Sequence, residues 1–414
     1  MSLRAGERHP ERAGAEVAAS RRADHPRPSP DTLEECLEIA HAALEKELPQ
    51  VAADWKALHP GAKVVGVYPI YSPVELIHAA GALPVGVIGG GNKIEIAHAD
   101  SRFQSFVCSI VKSTLELGMT KKLDGFDAIF FHSICDPARN LASVFKRNFP
   151  ALEVEYLHLP QNFLSSHAVP YLEAEYRRVL TLLERVTGRP VREEAIAASI
   201  ELYNRIRGRM RELYELRSQS PEKLSAAECY ALVRAGSVMP PEEHLPLLDA
   251  ALTAAWNRTA KAKDRIRVVL EGSFCEQPSI ELIECLEAAG CYVVDDDFLL
   301  GARWFRADVP THGGALRALA SAYVDGSVYS GIKHDQREPK SKHLADKVKE
   351  HRADAVVILT AKFCEPALFD YALYRKALDE AGIPHLFLEF EEKMWVFDKI
   401  RTEAETFVES MLFD

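Results

Sequence analysis

The sequence lacks the features that mark membrane, secreted and nucleic-acid-binding proteins. No apolar run approaches the ~20 residues that a helix needs to span a bilayer. The first thirty residues are polar and rich in Arg, Ala and Pro, and they lack the apolar core of a signal peptide. The net charge of −11 argues against a nucleic-acid partner. We therefore expect a cytoplasmic protein that binds neither membrane nor nucleic acid.

Common nucleotide, hydrolase and small metal-site motifs are missing as well. The sequence has no G-x-x-x-x-G-K-[ST] for ATP and no G-x-G-x-x-G after a strand for a dinucleotide. H-E-x-x-H and G-x-S-x-G do not occur. The absence of C-x-x-C disfavours zinc ribbons and ferredoxin-type loops. If the chemistry needs ATP or a nicotinamide, a partner is expected to supply it.

What is present is an alternation of strand-like and helical segments over 414 residues. The alternation starts at Lys63, stops over residues 170–264 and returns at Arg265, which predicts an α/β fold of two Rossmann-like domains with mainly parallel sheets and a helical segment between them. Recurrent helix–glycine–strand units leave an internal duplication open. The predicted parts are a disordered tail (1–30), lead-in helices (31–60), a first α/β domain (61–165), the helical segment (166–264), a second α/β domain (265–400) and a C-terminal helix (401–414).

Three of the eight cysteines share a local pattern in which an apolar run ends in Cys and an acidic residue and a proline follow. They are Cys135 in DAIFFHSICDP, Cys275 in VVLEGSFCEQP and Cys364 in AVVILTAKFCEP. Each is predicted where a buried strand ends and a helix begins, and ligands of α/β sheets bind at that edge. A helix N-terminus favours a thiolate, and proline suits a first helical turn. Three such thiols predict a soft metal centre of the iron–sulfur type, and buried structural cysteines are the alternative.

The remaining cysteines carry no such pattern. Cys108 lies on a predicted amphipathic helix, FQSFVCSIVKSTLELGM, and the residues around it do not mark it as a metal ligand. The other four lie within apolar helical or strand patterns, so we expect them to be small core residues: Cys36, Cys229, Cys285 and Cys291.

Several longer segments resemble the 2-hydroxyacyl-CoA dehydratase/benzoyl-CoA reductase family. In the first half they are GVYPIYSPVELIHAAGALPVGVIGGG, FQSFVCSIVKSTLELGM, FFHSICDPARNL and PQNF. In the second half they are GSFCEQPSIELIECLEAAGCYVVDDDFLLGARWF and KFCEPALFDYALYRKALDEAGIPHLFLE. The resemblance covers residues 60–165 and 265–395. The GSFCEQP and CYVVDDDFLLGARWF segments make the sequence most similar to a cluster-carrying subunit of ATP-dependent, class I benzoyl-CoA reductase.

The resemblance implies an oxidoreductase subunit with a [4Fe-4S] cluster that reduces the ring of benzoyl-CoA or a substituted analogue to a cyclic diene. It implies Cys108, Cys135 and Cys364 as cluster ligands and Cys275 as a fourth thiol that either completes the coordination or stands near it. The implied partners are a homologous sister subunit, an ATP-hydrolysing iron–sulfur activator, ferredoxin as indirect electron donor and an aromatic acyl-CoA. Two alternatives stay open: a 2-hydroxyacyl-CoA dehydratase subunit, and an iron–sulfur electron carrier without acyl-CoA. A structural zinc protein is a more distant one.

The candidate proton donors are Tyr71, Glu75, His78 and His132. Glu75 and His78 are three residues apart and so share one helix face, with a capping role and a core histidine as the alternatives. His132 lies three residues before Cys135, with a hydrogen-bonding role as its alternative. The run Gly89–Gly91 is either a phosphate cradle or a simple turn. The three aspartates at 295–297 are expected to form a capped, solvated loop after a strand, with a cation site as the alternative.

Overall fold

The computed structural model describes residues 30–69, 71–272, 275–298, 306–325 and 339–413. The predicted tail 1–30 therefore lies outside the described residues except for Pro30, and the GARWF segment lies outside them too. The helices and strands of the described residues are, in chain order, α1 (Leu33–Glu45), α2 (Leu48–Leu58), β1 (Lys63–Tyr68), α3 (Val74–Ala79), β2 (Ala82–Gly86), α4 (Ser109–Met119), β3 (Ala128–His132), α5 (Asp136–Asn148), β4 (Glu153–Leu157), α6 (Ala168–Thr187), α7 (Glu193–Gln219), α8 (Ala226–Ala235), α9 (Pro241–Asn257), β5 (Ile266–Glu271), α10 (Ile280–Ala288), β6 (Cys291–Asp296), α11 (Ala315–Val324), α12 (Lys340–Glu350), β7 (Ala355–Ala361), α13 (Glu365–Ala381), β8 (His385–Phe390) and α14 (Asp398–Phe413).

The strands form two four-stranded sheets in which every pairing is parallel. Their inner strands are almost continuous apolar runs, such as AIFFH in β3 and AVVILTA in β7, and these runs are fully buried. Burial on both faces favours such runs over an alternating pattern. The α/β class with parallel sheets is thus confirmed.

Both sheets have the same strand order. It is β2-β1-β3-β4 in the first and β6-β5-β7-β8 in the second. In each sheet the order reverses between the two central strands, and this switch point is where ligands bind in open α/β sheets. The shared topology supports the interpretation that the chain contains an internal duplication.

The helical segment packs between the two sheets rather than beside them. Helix α7 contacts α3 of the first unit and β6 of the second. One continuous apolar core includes side chains of both sheets and of helices α6 to α9. None of the helices in the described ranges combines the length and apolar character needed to cross a membrane.

The aspartates at 295–297 do not form the solvated loop that the sequence predicts. Asp295 and Asp296 end strand β6, and all three aspartates are buried. Asp296 accepts hydrogen bonds from Tyr214 Oη at 2.8 Å and from Arg217 Nη1 at 2.9 Å. Since these partners come from helix α7, the local sequence gives no sign that the charges are compensated.

Two helix boundaries also differ from the sequence prediction. Helix α4 begins at Ser109 and not at Phe103, because residues 103–108 form a turn despite their apolar character. The C-terminal helix begins at Asp398, three residues before its predicted start at 401. The first difference changes the position of Cys108.

Candidate functional site

Three cysteines stand at the N-terminal ends of three helices. Cys108, Cys135 and Cys364 are the N-cap residues of α4, α5 and α13, respectively. The Cys135 and Cys364 positions are equivalent in the two sheets, because each follows the third strand of its unit, β3 or β7. None of these three cysteines makes a side-chain cap hydrogen bond at its helix start. The positive dipole end of each helix nevertheless favours a thiolate at its N-cap.

Cys275 follows strand β5 but does not begin a helix. Helix α10 starts at Ile280, and its cap is Ser279, whose side chain accepts a hydrogen bond from Leu282 N. The predicted strand–Cys–helix context is therefore wrong for Cys275, and Pro278 precedes the helix instead of lying in its first turn. Pro137 does occupy the first turn of its helix, as predicted.

The four thiols form one group. The Cys135 and Cys275 side chains are hydrogen-bonded to each other, and Cys275 also interacts electrostatically with Cys364 and Cys108. This hydrogen bond lowers the pKa of Cys135, although burial opposes the effect. Burial raises the pKa of Cys108 and of Cys275 well above the usual range, and repulsion between the sulfurs adds to it. Ionisation of the first thiol at Cys135 therefore disfavours ionisation of its neighbours.

Two acidic residues near this group were not selected from the sequence: the buried Glu276, whose charge acts on Cys108, and the partly buried Glu392, whose charge acts on Glu276. Glu276 Oε2 accepts a hydrogen bond from Ile110 N at the start of α4 at 3.0 Å. Burial, with repulsion from Glu392, raises the pKa of Glu276 to about 8. Burial likewise raises the pKa of Glu392. The acidic residue after Cys275 was the available signal for Glu276, whereas nothing in the sequence marks Glu392.

His132 is completely buried at the end of strand β3. Its Nε2 accepts the Tyr71 N–H at 3.0 Å, and its Nδ1 has no hydrogen-bond partner among the described residues. Burial lowers the pKa of His132 to about 3. The imidazole is therefore neutral at pH 7, and its single proton lies on Nδ1 because Nε2 accepts a hydrogen bond.

Glu75 and His78 are bound to different partners. Glu75 forms a buried ion pair with Arg207 of helix α7 and lines a small cavity with Tyr71. His78 contacts Ser199 Oγ at 2.9 Å through Nδ1 and Glu242 at 2.8 Å through Nε2. Both ring nitrogens of His78 are thus occupied, while Glu75 borders a cavity.

The glycine run after β2 already binds a carboxylate of the chain itself. Gly91 N donates to Glu392 Oε1 at 2.8 Å, and Ser113 Oγ donates to Glu392 Oε2 at 2.6 Å. Gly89 has a φ of +87°, and a side chain there would overlap Glu392. The run is a turn that joins the two α/β units through this contact, and a phosphate cradle would require displacement of Glu392.

Tyr68 is a further residue that sequence reasoning missed. It ends strand β1, is fully buried, and lies opposite Phe131 of β3 with ring centroids 5.3 Å apart. No signal in the sequence distinguishes it from the other apolar residues of the strand. The four cysteines predicted to be core residues are buried, as expected: Cys36, Cys229, Cys285 and Cys291.

The thiol group does not have the spacing of a single-ion site. Among the described residues, no three or more His, Cys, Asp and Glu side chains are arranged to hold one metal ion. A multinuclear cluster has a different requirement, because each thiolate binds a separate iron atom. Soft sulfur donors at three helix starts fit such a group by their chemistry.

Comparison with known proteins identifies the family of the chain. The family model of 2-hydroxyglutaryl-CoA dehydratase, D-component, matches residues 69–411. The chain is 38% identical to one of the benzoyl-CoA reductase subunits of Thauera aromatica, over 89% of its own length and 96% of the relative's. It is 31% identical to lactoyl-CoA dehydratase subunit beta of Anaerotignum propionicum, over 89% and 99% of the two chains. The match to (R)-2-hydroxyglutaryl-CoA dehydratase subunit beta of Acidaminococcus fermentans is 28% identical over 90% and 100%.

Proposed function

The chain belongs to the 2-hydroxyglutaryl-CoA dehydratase D-component family, and within it we propose that it is the iron–sulfur subunit of an ATP-dependent benzoyl-CoA reductase. The proposed reaction reduces the ring of benzoyl-CoA or a substituted analogue to a cyclic diene during anaerobic aromatic degradation in the cytoplasm. The observation that carries the proposal is the meeting of four thiols at the switch points of both sheets. Identity of 38% to a benzoyl-CoA reductase subunit supports this substrate class.

Cys108, Cys135 and Cys364 would hold a [4Fe-4S] cluster, and Cys275 is the fourth thiol beside them. When bound, such a cluster supplies one-electron transfer at low potential. The chain contributes a site from which water is excluded, since Cys108, Cys275 and Cys364 are buried. The neutral His132 can donate a hydrogen bond through Nδ1–H, and Glu75 places a carboxylate at the adjoining cavity.

The proposal includes partners. The named relatives are subunits, which supports a homologous sister subunit for this chain. Helix α13, which Cys364 caps, exposes Leu368, Phe369 and Leu373, and Phe369 is 75% exposed. An apolar helix face of this kind supports docking of another subunit. An ATP-hydrolysing iron–sulfur activator, fed by ferredoxin, would supply the electrons.

The test is anaerobic purification of the chain with its co-expressed sister subunit, followed by iron and sulfide analysis and EPR spectroscopy. Cys108→Ala, Cys135→Ala and Cys364→Ala should each lose the cluster. Cys285→Ala is the matched control, because Cys285 is buried but does not belong to the thiol group. An iron-free wild-type preparation, or a Cys364→Ala variant with full iron and the native spectrum, would contradict the proposal.

A second candidate, a 2-hydroxyacyl-CoA dehydratase subunit, is favoured by the dehydratase relatives at 31% and 28% identity. Turnover distinguishes the two candidates. With activator, ATP and reductant, the proposed function requires formation of a cyclic diene from benzoyl-CoA. Dehydration of a 2-hydroxyacyl-CoA without ring reduction would select the second candidate. A loaded cluster with neither activity and no acyl-CoA binding would identify an electron carrier.

A further inference from the structure

We propose that Tyr68 is a positioning residue whose hydroxyl donates a hydrogen bond to a sulfur of the group held by Cys108, Cys135 and Cys364. The inference rests on the proposed function, because it requires that the thiols hold an iron–sulfur cluster. It assigns a role to a side chain that belongs neither to the ligands nor to the candidate proton donors.

Tyr68 lies at the carboxyl end of the first sheet, where the thiols meet. It ends β1, the central strand next to β3, and the two strands pair in register with Tyr68 opposite Phe131. Cys135 follows β3 at the same end of the sheet. Burial raises the pKa of Tyr68 well above its usual range, and repulsion from Cys275, Cys108 and Cys135 raises it further. The hydroxyl therefore lies in the electrostatic environment of the thiols.

The hydroxyl of Tyr68 is buried and unsatisfied. The side chain is fully buried, and its Oη has no hydrogen-bond partner among the described residues. Buried tyrosine hydroxyls usually find a partner, because an unpaired one loses the hydrogen bonds that it made with water. Because this donor is unpaired and lies beside several sulfurs, we infer that its acceptor is a sulfur atom of the group that the thiols bind.

Binding of iron would turn the neighbouring sulfurs into acceptors for this hydroxyl. Protonated thiols are weak donors and weak acceptors, whereas thiolates and cluster sulfurs accept hydrogen bonds. Once the thiols lose their protons to bind iron, Tyr68 is a buried O–H donor near them. A hydrogen bond to sulfur stabilises the reduced, more electron-rich form, so it raises the reduction potential.

The experiment is an EPR-monitored redox titration of wild type and Tyr68→Phe, each purified anaerobically with the sister subunit. We expect Tyr68→Phe to shift the equilibrium about tenfold toward the oxidised form, which for one electron is about 59 mV more negative. Tyr230→Phe is the matched control. Tyr230 is also fully buried with an unpaired hydroxyl among the described residues, but its charged neighbours are Arg234 and Asp296.

A potential in Tyr68→Phe that equals wild type, or an equal shift in Tyr230→Phe, would overturn the inference while leaving the cluster in place. Absence of iron from the wild type would instead overturn the proposed function, and the inference with it. The two failures are therefore distinguishable.

A second measurement covers the case in which Tyr68→Phe does not retain iron. The melting temperature of the metal-free full-length variant should equal or exceed that of the metal-free wild type, as for Tyr230→Phe, because each loses an unpaired buried hydroxyl. Loss of iron with an unchanged melting temperature supports a contact between the hydroxyl and the cluster. A lower melting temperature in Tyr68→Phe alone would mean that the hydroxyl has a protein partner, and would overturn the inference.

Discussion

Acidification from pH 7 to pH 5 should destabilise the protein through His132. Burial lowers the pKa of His132 to about 3, whereas an imidazole in an unfolded chain has a pKa of about 6.5. Below pH 6.5 the unfolded chain therefore binds a proton that the folded protein does not. The stability contributed by neutral His132 is full above pH 6.5 and decreases as the pH falls toward 3.

The expected size follows from the two pKa values. At pH 5 the proton uptake by the unfolded chain costs the folded protein about 2 kcal/mol relative to pH 7. The assay is urea unfolding of the reduced, metal-free full-length chain at both pH values, for wild type and His132→Gln. Because glutamine does not titrate, the loss of unfolding free energy between pH 7 and pH 5 should be about 2 kcal/mol smaller in the variant.

Two further histidines serve as controls. His244 is buried, donates through Nε2 to the Leu232 carbonyl, and has a pKa lowered by burial to about 4. His244→Gln should therefore reduce the pH dependence by a similar amount, whereas the exposed His312→Gln should not. If His132→Gln has the pH dependence of wild type, the reasoning from its burial is wrong.

Three other variants test buried contacts by urea unfolding. Arg207→Met should cost about 3–5 kcal/mol because it leaves the Glu75 carboxylate buried without its cation, and the double variant with Glu75→Gln should recover part of that loss. Lys347→Met should cost a similar amount because its ammonium lies among the buried carboxylates of the second sheet, whereas the exposed Lys342→Met should cost about 1 kcal/mol or less. Gly89→Ala should cost more than about 1 kcal/mol, since its φ is positive and the new methyl would overlap the carboxyl group of Glu392. A cost near zero in any of the three contradicts the corresponding contact.

The sheets could be predicted because the signal for each strand is local. Apolar runs such as those of β3 and β7 are typical of strands buried on both faces, and each is followed by a helix that packs on its sheet. The position of Cys135 and Cys364 at the ends of these strands followed from the same local pattern. Cys275 was selected by the same pattern, although no helix begins directly after it. The class of fold and three of the four thiols were therefore accessible from local patterns in the sequence.

The rest depends on contacts between remote residues. The local pattern made Cys108 an ordinary position on an amphipathic helix, because the apolar residues before it continue the helical spacing although the helix begins at Ser109. Cys108 was implied as a ligand only by the family resemblance. Asp296 looked solvated because Arg217 and Tyr214 come from another part of the chain. Glu392 reaches the glycine turn from the second unit. Local patterns do not determine which remote side chains meet, so the contacts of Asp296 and Glu392 required the structure.

The equivalent positions of Cys135 and Cys364 have a consequence for chain entropy. A group bonded to both sulfurs would close a loop of roughly 230 residues, since one cysteine lies in each half of the chain. In the denatured protein such a cross-link removes conformational freedom worth about 5 kcal/mol, by the relation used for disulfides. The proposed cofactor would then cross-link the two halves of the chain as well as serve as a redox centre. The loaded protein should accordingly resist denaturation better than the metal-free chain.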